Sequence, residues 1–360
     1  MLTARKVKEM ALEFGADAVA IGNIERWEGA PIQQDPRQIM PEAKSIVAMA
    51  FRVMRGSLRG VEEGTFFSNY SSMGYGGITY LYMPMTVINL AKRIEDAGYE
   101  AIPYGHQSDW RAIDNHGRNR NNFSVPVAPG RANPDVAVHL RIAAYLAGLG
   151  EIGWSKMLLT KQFGPRQRIG LVITDLELEP DPVIKPGTLC NRCMACVSQC
   201  PAGAIPKDKS VKVKLGGYDV EWADIDVNRC NTCFVGAEIK TADNGMPDYV
   251  DPAYNVRKKP GWWSPFFKKP RNLYNTGQAI CGARGCTRAC MIAMEARGAV
   301  ENKFEKPFRR RPTWKVDWEQ IAKDSPINPA DSAPDPVFGD ASAPAPASAA
   351  PKEPVKTEAD

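Results

Sequence analysis

The sequence lacks an apolar run that could cross a membrane, because none approaches the ~18 uninterrupted residues that a spanning helix needs. Met1 to Met10 carry charges on a helical pattern and lack the apolar core of a signal peptide. No twin-arginine pair lies near the start either. These absences predict a cytoplasmic protein.

A strong charge of one sign is also missing. The 46 Lys and Arg residues exceed the 41 Asp and Glu residues by only five over 360 residues. This mild excess does not by itself imply a nucleic-acid partner. With 44% hydrophobic and 24% charged residues, the composition is that of an ordinary globular protein. The length allows two modest domains, or one domain with an inserted module.

Cysteine, in contrast, is concentrated in one region. All nine cysteines lie between residues 190 and 290. Such clustering favours metal ligation over a disulfide framework. Thiolates that bind iron also imply a reducing compartment.

The densest part is the run Cys190, Cys193, Cys196, Cys200 and Pro201. Its spacing, C-x2-C-x2-C-x3-C-P, is the bacterial ferredoxin pattern for a 4Fe–4S cluster, in which the fourth cysteine binds the other cluster of a pair. The proline suits a helix start, where a backbone N–H is not needed. A zinc site is the alternative, but zinc sites use C-x2-C pairs that are well separated in sequence. The run therefore predicts an iron–sulfur cluster.

The remaining cysteines provide ligands for a second cluster. They are Cys230, Cys233, Cys281, Cys286 and Cys290. The two-cluster rule assigns one cluster to Cys190, Cys193, Cys196 and Cys290. It assigns the other to Cys200, Cys281, Cys286 and one of Cys230 or Cys233, with Cys230 taken as the ligand and Cys233 as the spare. Three residues separate Cys286 from Cys290, just as three separate Cys196 from Cys200. Two features depart from the pattern: four residues instead of two separate Cys281 from Cys286, and Met291 stands where a proline is usual.

Hydrophobic periodicity predicts alternating helices and strands ahead of the cysteines. We predict helices at 5–14, 86–97 and 136–149, and strands at 17–22, 45–51, 99–104 and 168–176. This order favours an α/β domain over residues 1–184, followed by a ferredoxin-like domain with two 4Fe–4S clusters over 185–300. Gly148, Gly150 and Gly153 either admit a ligand against the backbone or end the helix.

Three further segments have unusual composition. The insert 252–275 surrounds Trp262, Trp263, Phe266 and Phe267 with Lys and Arg and contains no acid. It either contacts nucleic acid, a membrane surface or an electron donor, or packs as a covering loop. Residues 301–327 form a basic extension, and 328–360 form an Ala/Pro-rich tail that we predict to be disordered.

Several motifs occur in one order: Ala147-Gly-Leu-Gly-Glu-Ile-Gly153, Phe163-Gly-Pro-Arg166 with Arg168, Thr174-Asp-Leu-Glu-Leu178, and then the cysteine run. This order resembles the cobalamin-dependent reductive dehalogenases and their relatives, the epoxyqueuosine reductases. The resemblance covers roughly residues 5–295. It implies a nitroreductase-like α/β domain that holds a base-off cobalamin, with two clusters delivering electrons one at a time. The cofactor-binding candidates it implies are Gly148, Gly150, Gly153, Phe163, Gly164, Arg166, Arg168 and Thr174.

Histidine ligation of cobalt is not predicted. The motif for a histidine-ligated corrinoid is Asp-x-His-x-x-Gly, and Asn119 stands where the glycine after His116 would be. His106 and His139 do not lie in a cobalt-binding motif either.

The resemblance also implies a proton donor. Dehalogenases of the family use a tyrosine beside a basic residue, and Tyr80 or Tyr82 is the position carried over, since a phenol next to a cation suits general acid work. Trp154 stands where the family has a basic residue, and Lys156, Arg141 or Arg166 are the substitutes. Epoxyqueuosine reductases instead use an aspartate, for which Asp135 is the candidate.

Three functions remain open from the sequence. The first is a corrinoid and iron–sulfur reductase of a small organic molecule, with organohalides as the family's example and a ferredoxin or flavodoxin as low-potential electron donor. The second is a tRNA-modifying reductase of the epoxyqueuosine type. The third is a non-catalytic electron carrier or activator of a partner protein, since fold-level analogy does not fix function.

Overall fold

The computed structural model describes residues 2–63, 65–66, 69–106, 126–134, 136–200, 202–227, 229–230 and 280–310. Asp135, Cys233, the insert 252–275 and the tail 328–360 lie outside the described residues, as does the extension beyond residue 310. No helix in the described ranges is both long and apolar enough to cross a membrane.

A four-stranded antiparallel sheet with the order β1-β2-β6-β3 forms the centre of the fold. Its strands are β1 (Ala18–Asn23), β2 (Ser45–Arg52), β3 (Ala101–Tyr104) and β6 (Gln167–Thr174). All four predicted strands are present, and the architecture is mixed α/β. Two short strands, β4 (Glu151–Ile152) and β5 (Leu158–Leu159), pair with each other before β6.

Helices cover both faces of this sheet, and this explains why β2 is buried along almost its whole length. One face packs against α1 (Ala4–Glu13) and α3 (Met83–Glu95), and the other packs against α4 (Leu140–Leu146). Val47 and Met49 belong to the first layer, whereas Ile46 and Ala48 belong to the second, as strand alternation requires.

Two elements differ from the prediction. The third helix was predicted over 136–149 but begins only at Leu140, where the His139 side chain accepts a hydrogen bond from the Ile142 N–H and caps it. A π-helical segment, Tyr70–Tyr82, precedes α3 and was not predicted. Five glycines or serines in its first turns hide the usual helical periodicity.

The cysteine region contains short elements. They are α5 (Ala195–Ser198), the hairpin of β7 (Ser210–Leu215) and β8 (Tyr218–Ala223), α6 (Ile280–Arg284) and α7 (Cys286–Ala296). The hairpin was not predicted, and its Val220 and Trp222 pack against the face of the sheet that α4 covers.

A buried ion pair ties α7 to the α/β layers. Arg288 on α7 lies 2.7 Å from the carboxylate of Glu62 on α2 (Arg59–Glu63), and both side chains are almost fully buried. Arg309 pairs with the second carboxylate oxygen. Removing one member of such a pair leaves an uncompensated buried charge.

We expect Glu62→Gln to lower the free energy of unfolding by about 3–5 kcal/mol, because Arg288 then stays buried without its counter-charge. Urea unfolding of anaerobically prepared protein measures this loss. Glu63→Gln on the same helix is the matched control. It removes only a half-exposed pair with Arg59 at 2.6 Å and should cost less than about 1 kcal/mol. Equal losses for the two variants would contradict the role given to Glu62.

Candidate functional site

Four cysteines surround one pocket. Its lining includes Cys190, Cys193 and Cys196 from the run and Cys290 from α7. We call these four the first cysteine group. Burial raises the pKa of Cys196 to about 11, and the charges of Cys190 and Cys193 add to the effect. Burial also raises the pKa of Cys290, with further contributions from Cys190, Cys196 and Cys193. The four thiols therefore lie within electrostatic reach of one another.

The loop of this group is held by the protein around it. The Glu151 carboxylate accepts hydrogen bonds from the backbone N–H groups of Gly187, at 2.7 Å, Leu189 and Cys190. The Trp154 N–H points at the Cys190 sulfur at 3.4 Å. This anchoring explains why the Gly-Leu-Gly-Glu motif and the cysteine run occur together.

Backbone conformation bends the run into a loop. Arg192 and Met194, which flank Cys193, both have positive φ, 54° and 58°. Residues other than glycine rarely adopt this left-handed conformation, so the surrounding structure must stabilise the strained backbone on each side of Cys193.

The other described cysteines form a second group of four: Cys200, Cys230, Cys281 and Cys286. Burial raises the pKa of Cys286, and the charges of the other three raise it further. Burial raises the pKa of Cys230 to about 11, with Cys281 and Cys200 as the next causes. The Ala204 N–H points at the Cys200 sulfur at 3.4 Å. Cys233 lies outside the described residues.

Each group contains the number of thiols that a 4Fe–4S cluster requires. All eight described cysteines are free thiols. Within the described part of the chain, no three His, Cys, Asp or Glu side chains converge on a position for one metal ion. A cubane holds its four thiolates further apart than one ion does, and backbone N–H groups directed at sulfur are typical of its surroundings.

A group of aromatic and basic residues lies next to the second cysteine group. We call it the tyrosine–arginine cluster, and its members are Tyr70, Tyr75, Tyr80, His106, Arg141 and Arg168. The Arg168 guanidinium lies 4.3 Å from the centre of the Tyr75 ring and 3.3 Å from the Tyr70 hydroxyl. Tyr75 and Tyr80 pack edge to face, with ring centres 6.1 Å apart.

Electrostatics connect this cluster with the cysteines. Burial raises the pKa of Tyr70, Arg168 opposes that effect, and the charges of Cys281 and Cys286 add to it. Burial and Arg168 lower the pKa of Arg141, while the charges of Cys230 and Cys286 raise it. The second cysteine group therefore faces the tyrosine–arginine cluster.

The two arginines supply positive charge to this cluster. The Arg141 side chain is exposed, and its charge interacts with those of Arg168, Cys230 and Cys286. The Arg168 Nε is buried and has no hydrogen-bond partner among the described residues. A buried guanidinium N–H without a partner fits a cofactor that carries hydrogen-bond acceptors, as a corrinoid does with its amide groups.

The two candidate tyrosines occupy different places. Tyr80 belongs to the cluster, and its hydroxyl lies 3.3 Å from His106 Nδ1. Tyr82 is about half exposed, and its ring packs edge to face on Phe51, 6.1 Å away. Its hydroxyl lies so close to Gly15 that a Cβ there would approach it to 2.4 Å.

The glycines of the motif have contacts within the protein itself. A Cβ on Gly148 would lie 2.3 Å from the Pro182 carbonyl oxygen, and one on Gly150 would lie 2.4 Å from the Leu159 carbonyl oxygen. A Cβ on Gly153 would crowd Leu159. These approaches explain the glycines by packing, and their contact with a cofactor stays a prediction.

Four of the other cofactor-binding candidates also join parts of the fold. Arg166 donates hydrogen bonds to the Val53 carbonyl at 2.6 Å and to the Asn302 side chain at 2.8 Å. Thr174 donates to the Glu100 carbonyl at 2.7 Å. Phe163 packs under Arg52, and Gly164 approaches Met294. Arg168 alone among the eight candidates lies in the tyrosine–arginine cluster as defined here.

The basic candidates beside the motif have separate contacts. Lys156 has a positive φ of 57°, and its ammonium lies 5.2 Å from the centre of the Trp222 ring. Burial lowers its pKa, and Arg141 lowers it further. Trp154 donates a hydrogen bond from its indole to the Pro206 carbonyl at 3.0 Å. The tryptophan that replaces the family's basic residue thus packs against the cysteine loop.

Three members of the cluster were not predicted from the sequence. They are Tyr70, Tyr75 and His106, and the contact of His106 with Tyr80 was not predicted either. A signal for the tyrosines was present, because Tyr70, Tyr75 and Tyr80 are spaced by five residues. A π-helix bonds each residue to the fifth one along, so this spacing brings the three to neighbouring positions on one side of the segment.

A separate concavity of about 400 Å³ lies between the loop at 131–136 and strand β3. Ile102 and Tyr104 line it together with Arg131 and Asn133. It shares no lining residue with the two cysteine groups or the tyrosine–arginine cluster.

No protein-family profile matches the chain. Among curated proteins, it is 34% identical over 181 residues to the tetrachloroethene reductive dehalogenase of Dehalobacter restrictus, a match that covers 48% of this chain and 26% of that protein. It is 36% identical over 87 residues to the epoxyqueuosine reductase of Lactococcus garvieae, covering 24% and 22%. The chain thus spans about a quarter of the length of the dehalogenase that it matches.

Solved structures of both kinds are also similar. A catabolic reductive dehalogenase aligns with a TM-score of 0.46 and 21% identity over 87% of this chain and 40% of that chain. A TM-score below 0.5 carries no argument about function. The sequence matches confirm the resemblance that the motifs predicted, since the chain is similar both to reductive dehalogenases and to epoxyqueuosine reductases.

Proposed function

We propose that the chain is an iron–sulfur and corrinoid-dependent reductase of the reductive dehalogenase type, acting on a small organic molecule with organohalides as the expected class. The observation that carries the proposal is the packing of α6, which carries Cys281, on the π-helical segment that carries Tyr70, together with the charge interactions between the second cysteine group and Tyr70 and Arg141. It brings a thiol-lined electron site next to a set of phenols and cations. The curated dehalogenase match supports the same reading.

The thiols hold two 4Fe–4S clusters in this proposal, one in each cysteine group. Electrons from a ferredoxin or flavodoxin type of donor enter at the first group in this proposal, because the second group is the one whose charges act on the tyrosine–arginine cluster. The second group lies on the side of the tyrosine–arginine cluster. Arg141 and Arg168 would hold the corrinoid edge, and when bound, the clusters and the corrinoid supply the low-potential electrons.

A residue of this chain supplies the proton that the reduction consumes. Replacing a carbon–halogen bond with a carbon–hydrogen bond consumes two electrons and one proton and releases halide. Tyr80 holds that proton on its hydroxyl, at the half-buried edge of the cluster. Arg168 lies over the ring of Tyr75, which packs on Tyr80, so the cluster also contains positive charge close to the proton donor.

Cysteine variants test the two ligand sets. Cys286 and Cys290 lie one turn apart on α7, and their thiols interact with different groups. We expect Cys286→Ser and Cys290→Ser each to lower the iron content from about eight atoms per chain towards four. Electron paramagnetic resonance of the reduced proteins should show a different cluster signal lost in each. If both variants lost the same cluster signal, the assignment of Cys286 and Cys290 to different clusters would be wrong.

Tyrosine variants test the proton donor. Tyr80→Phe should lower turnover of a halogenated phenol or alkene by about 10²-fold or more, while cobalamin binding persists. Tyr82→Phe is the matched control and should leave turnover within about twofold, since its hydroxyl lies outside the cluster. Turnover and the base-off cobalamin spectrum are measured on the same anaerobic samples. Unchanged turnover in both variants would favour the electron-carrier function instead.

Epoxyqueuosine reduction is the second candidate, and the match to the Lactococcus enzyme favours it. Its candidate acid, Asp135, and the basic insert 252–275 lie outside the described residues. Binding to tRNA through phosphate contacts should weaken by about 10³-fold or more between 50 and 200 mM salt. Weak affinity that is flat across this salt range, measured by fluorescence anisotropy, would remove this candidate.

A further inference from the structure

His106 is hydrogen-bonded to the proposed proton donor. Its Nδ1 lies 3.3 Å from the Tyr80 hydroxyl, and the two rings pack edge to face with centres 5.5 Å apart. The ring also packs edge to face against Tyr75, at 6.4 Å. These contacts fix the position of the imidazole relative to both phenols.

Exposure falls in steps along this set of residues. His106 is exposed, Tyr80 is half-buried and Tyr75 is only 6% exposed. A proton that reaches His106 from solvent thus has a hydrogen-bonded path to Tyr80. The π-helical segment supplies both tyrosines, and the end of β3 leads into the histidine.

Burial and the surrounding charges both disfavour the protonated form of the imidazole. Within the described residues, the groups that act on it are Tyr75 and Tyr80 from the π-helical segment, Arg168 from β6 and Arg141 from α4. Burial lowers the pKa of His106, and Arg168 and Arg141 lower it further, although the ring touches solvent. A neutral imidazole donates at one nitrogen and accepts at the other, as a proton relay requires.

We propose that His106 returns a solvent proton to Tyr80 after each turnover, an inference that rests on the proposed reductase function. In this step the Nδ1–H bond of His106 breaks, the O–H bond of Tyr80 forms, and Nε2 takes up a proton from water, which leaves as hydroxide. Proton exchange of the exposed ring with solvent then restores the Nδ1–H form before the next turnover. One proton moves inward and no electron is transferred. His106 acts through Tyr80, so it is a positioning and relay residue and not a catalytic one.

Turnover kinetics of His106→Asn test the relay. Asparagine keeps a hydrogen-bonding group near the Nδ1 position but cannot pass a proton through a ring. The first turnover should proceed at the wild-type rate, because Tyr80 is already protonated. Later turnovers should slow by about 10²-fold and recover when free imidazole is added. Equal slowing of first and later turnovers, without recovery in imidazole, would overturn the relay.

A measurement independent of activity separates this proposal from the proposed function. Tyr80→Phe should move the ¹⁵N resonance of His106 Nδ1 and leave those of His139, the cap of α4, in place. His106→Asn identifies the His106 signal. If the wild type reduces no halogenated substrate, the proposed function fails by itself. An unmoved His106 resonance overturns the relay whatever the activity.

Discussion

The buried ion pair between Arg288 and Glu62 is the interaction on which the arrangement of the cysteines depends. Arg288 lies on α7 between Cys286, which faces the second cysteine group, and Cys290, which lines the pocket of the first. A shift of this helix would remove a thiol from both groups at once. Because breaking a buried pair leaves an unpaired charge in the interior, Glu62 holds the helix in one position.

Charge is the second constraint. Burial raises the pKa of Cys286 and Cys290, so without metal these thiols stay protonated at neutral pH. Binding iron must release those protons, which couples cluster assembly to pH. Arg141 opposes the rise in the pKa of Cys230 and so favours negative charge in the second group. A cation on the proposed substrate side thus also acts on a thiol of the group nearest to it.

Much of the fold could be predicted from local pattern. Strand β2 could be predicted from its apolar run, and α1 and α3 from their helical periodicity. Local sequence suffices for these elements because the residues that will be buried recur at a fixed spacing along the chain. The π-helical segment could not be predicted in the same way. Its spacing is not that of an α-helix, and its glycines give no periodic apolar face. The start of α4 was misplaced because His139 caps it through a side chain that is rarely read as a cap.

The sequence by itself determined the resemblance to the two reductase families and the two sets of cysteines, because ligands two or three residues apart depend only on local spacing and the two-cluster pattern assigns the distant ones. Only the tertiary structure decided that Tyr80 and not Tyr82 lies in the tyrosine–arginine cluster, and that the motif glycines pack against Pro182 and Leu159. These outcomes follow from contacts between segments tens of residues apart. Such contacts arise from packing of the whole domain, which no local pattern encodes.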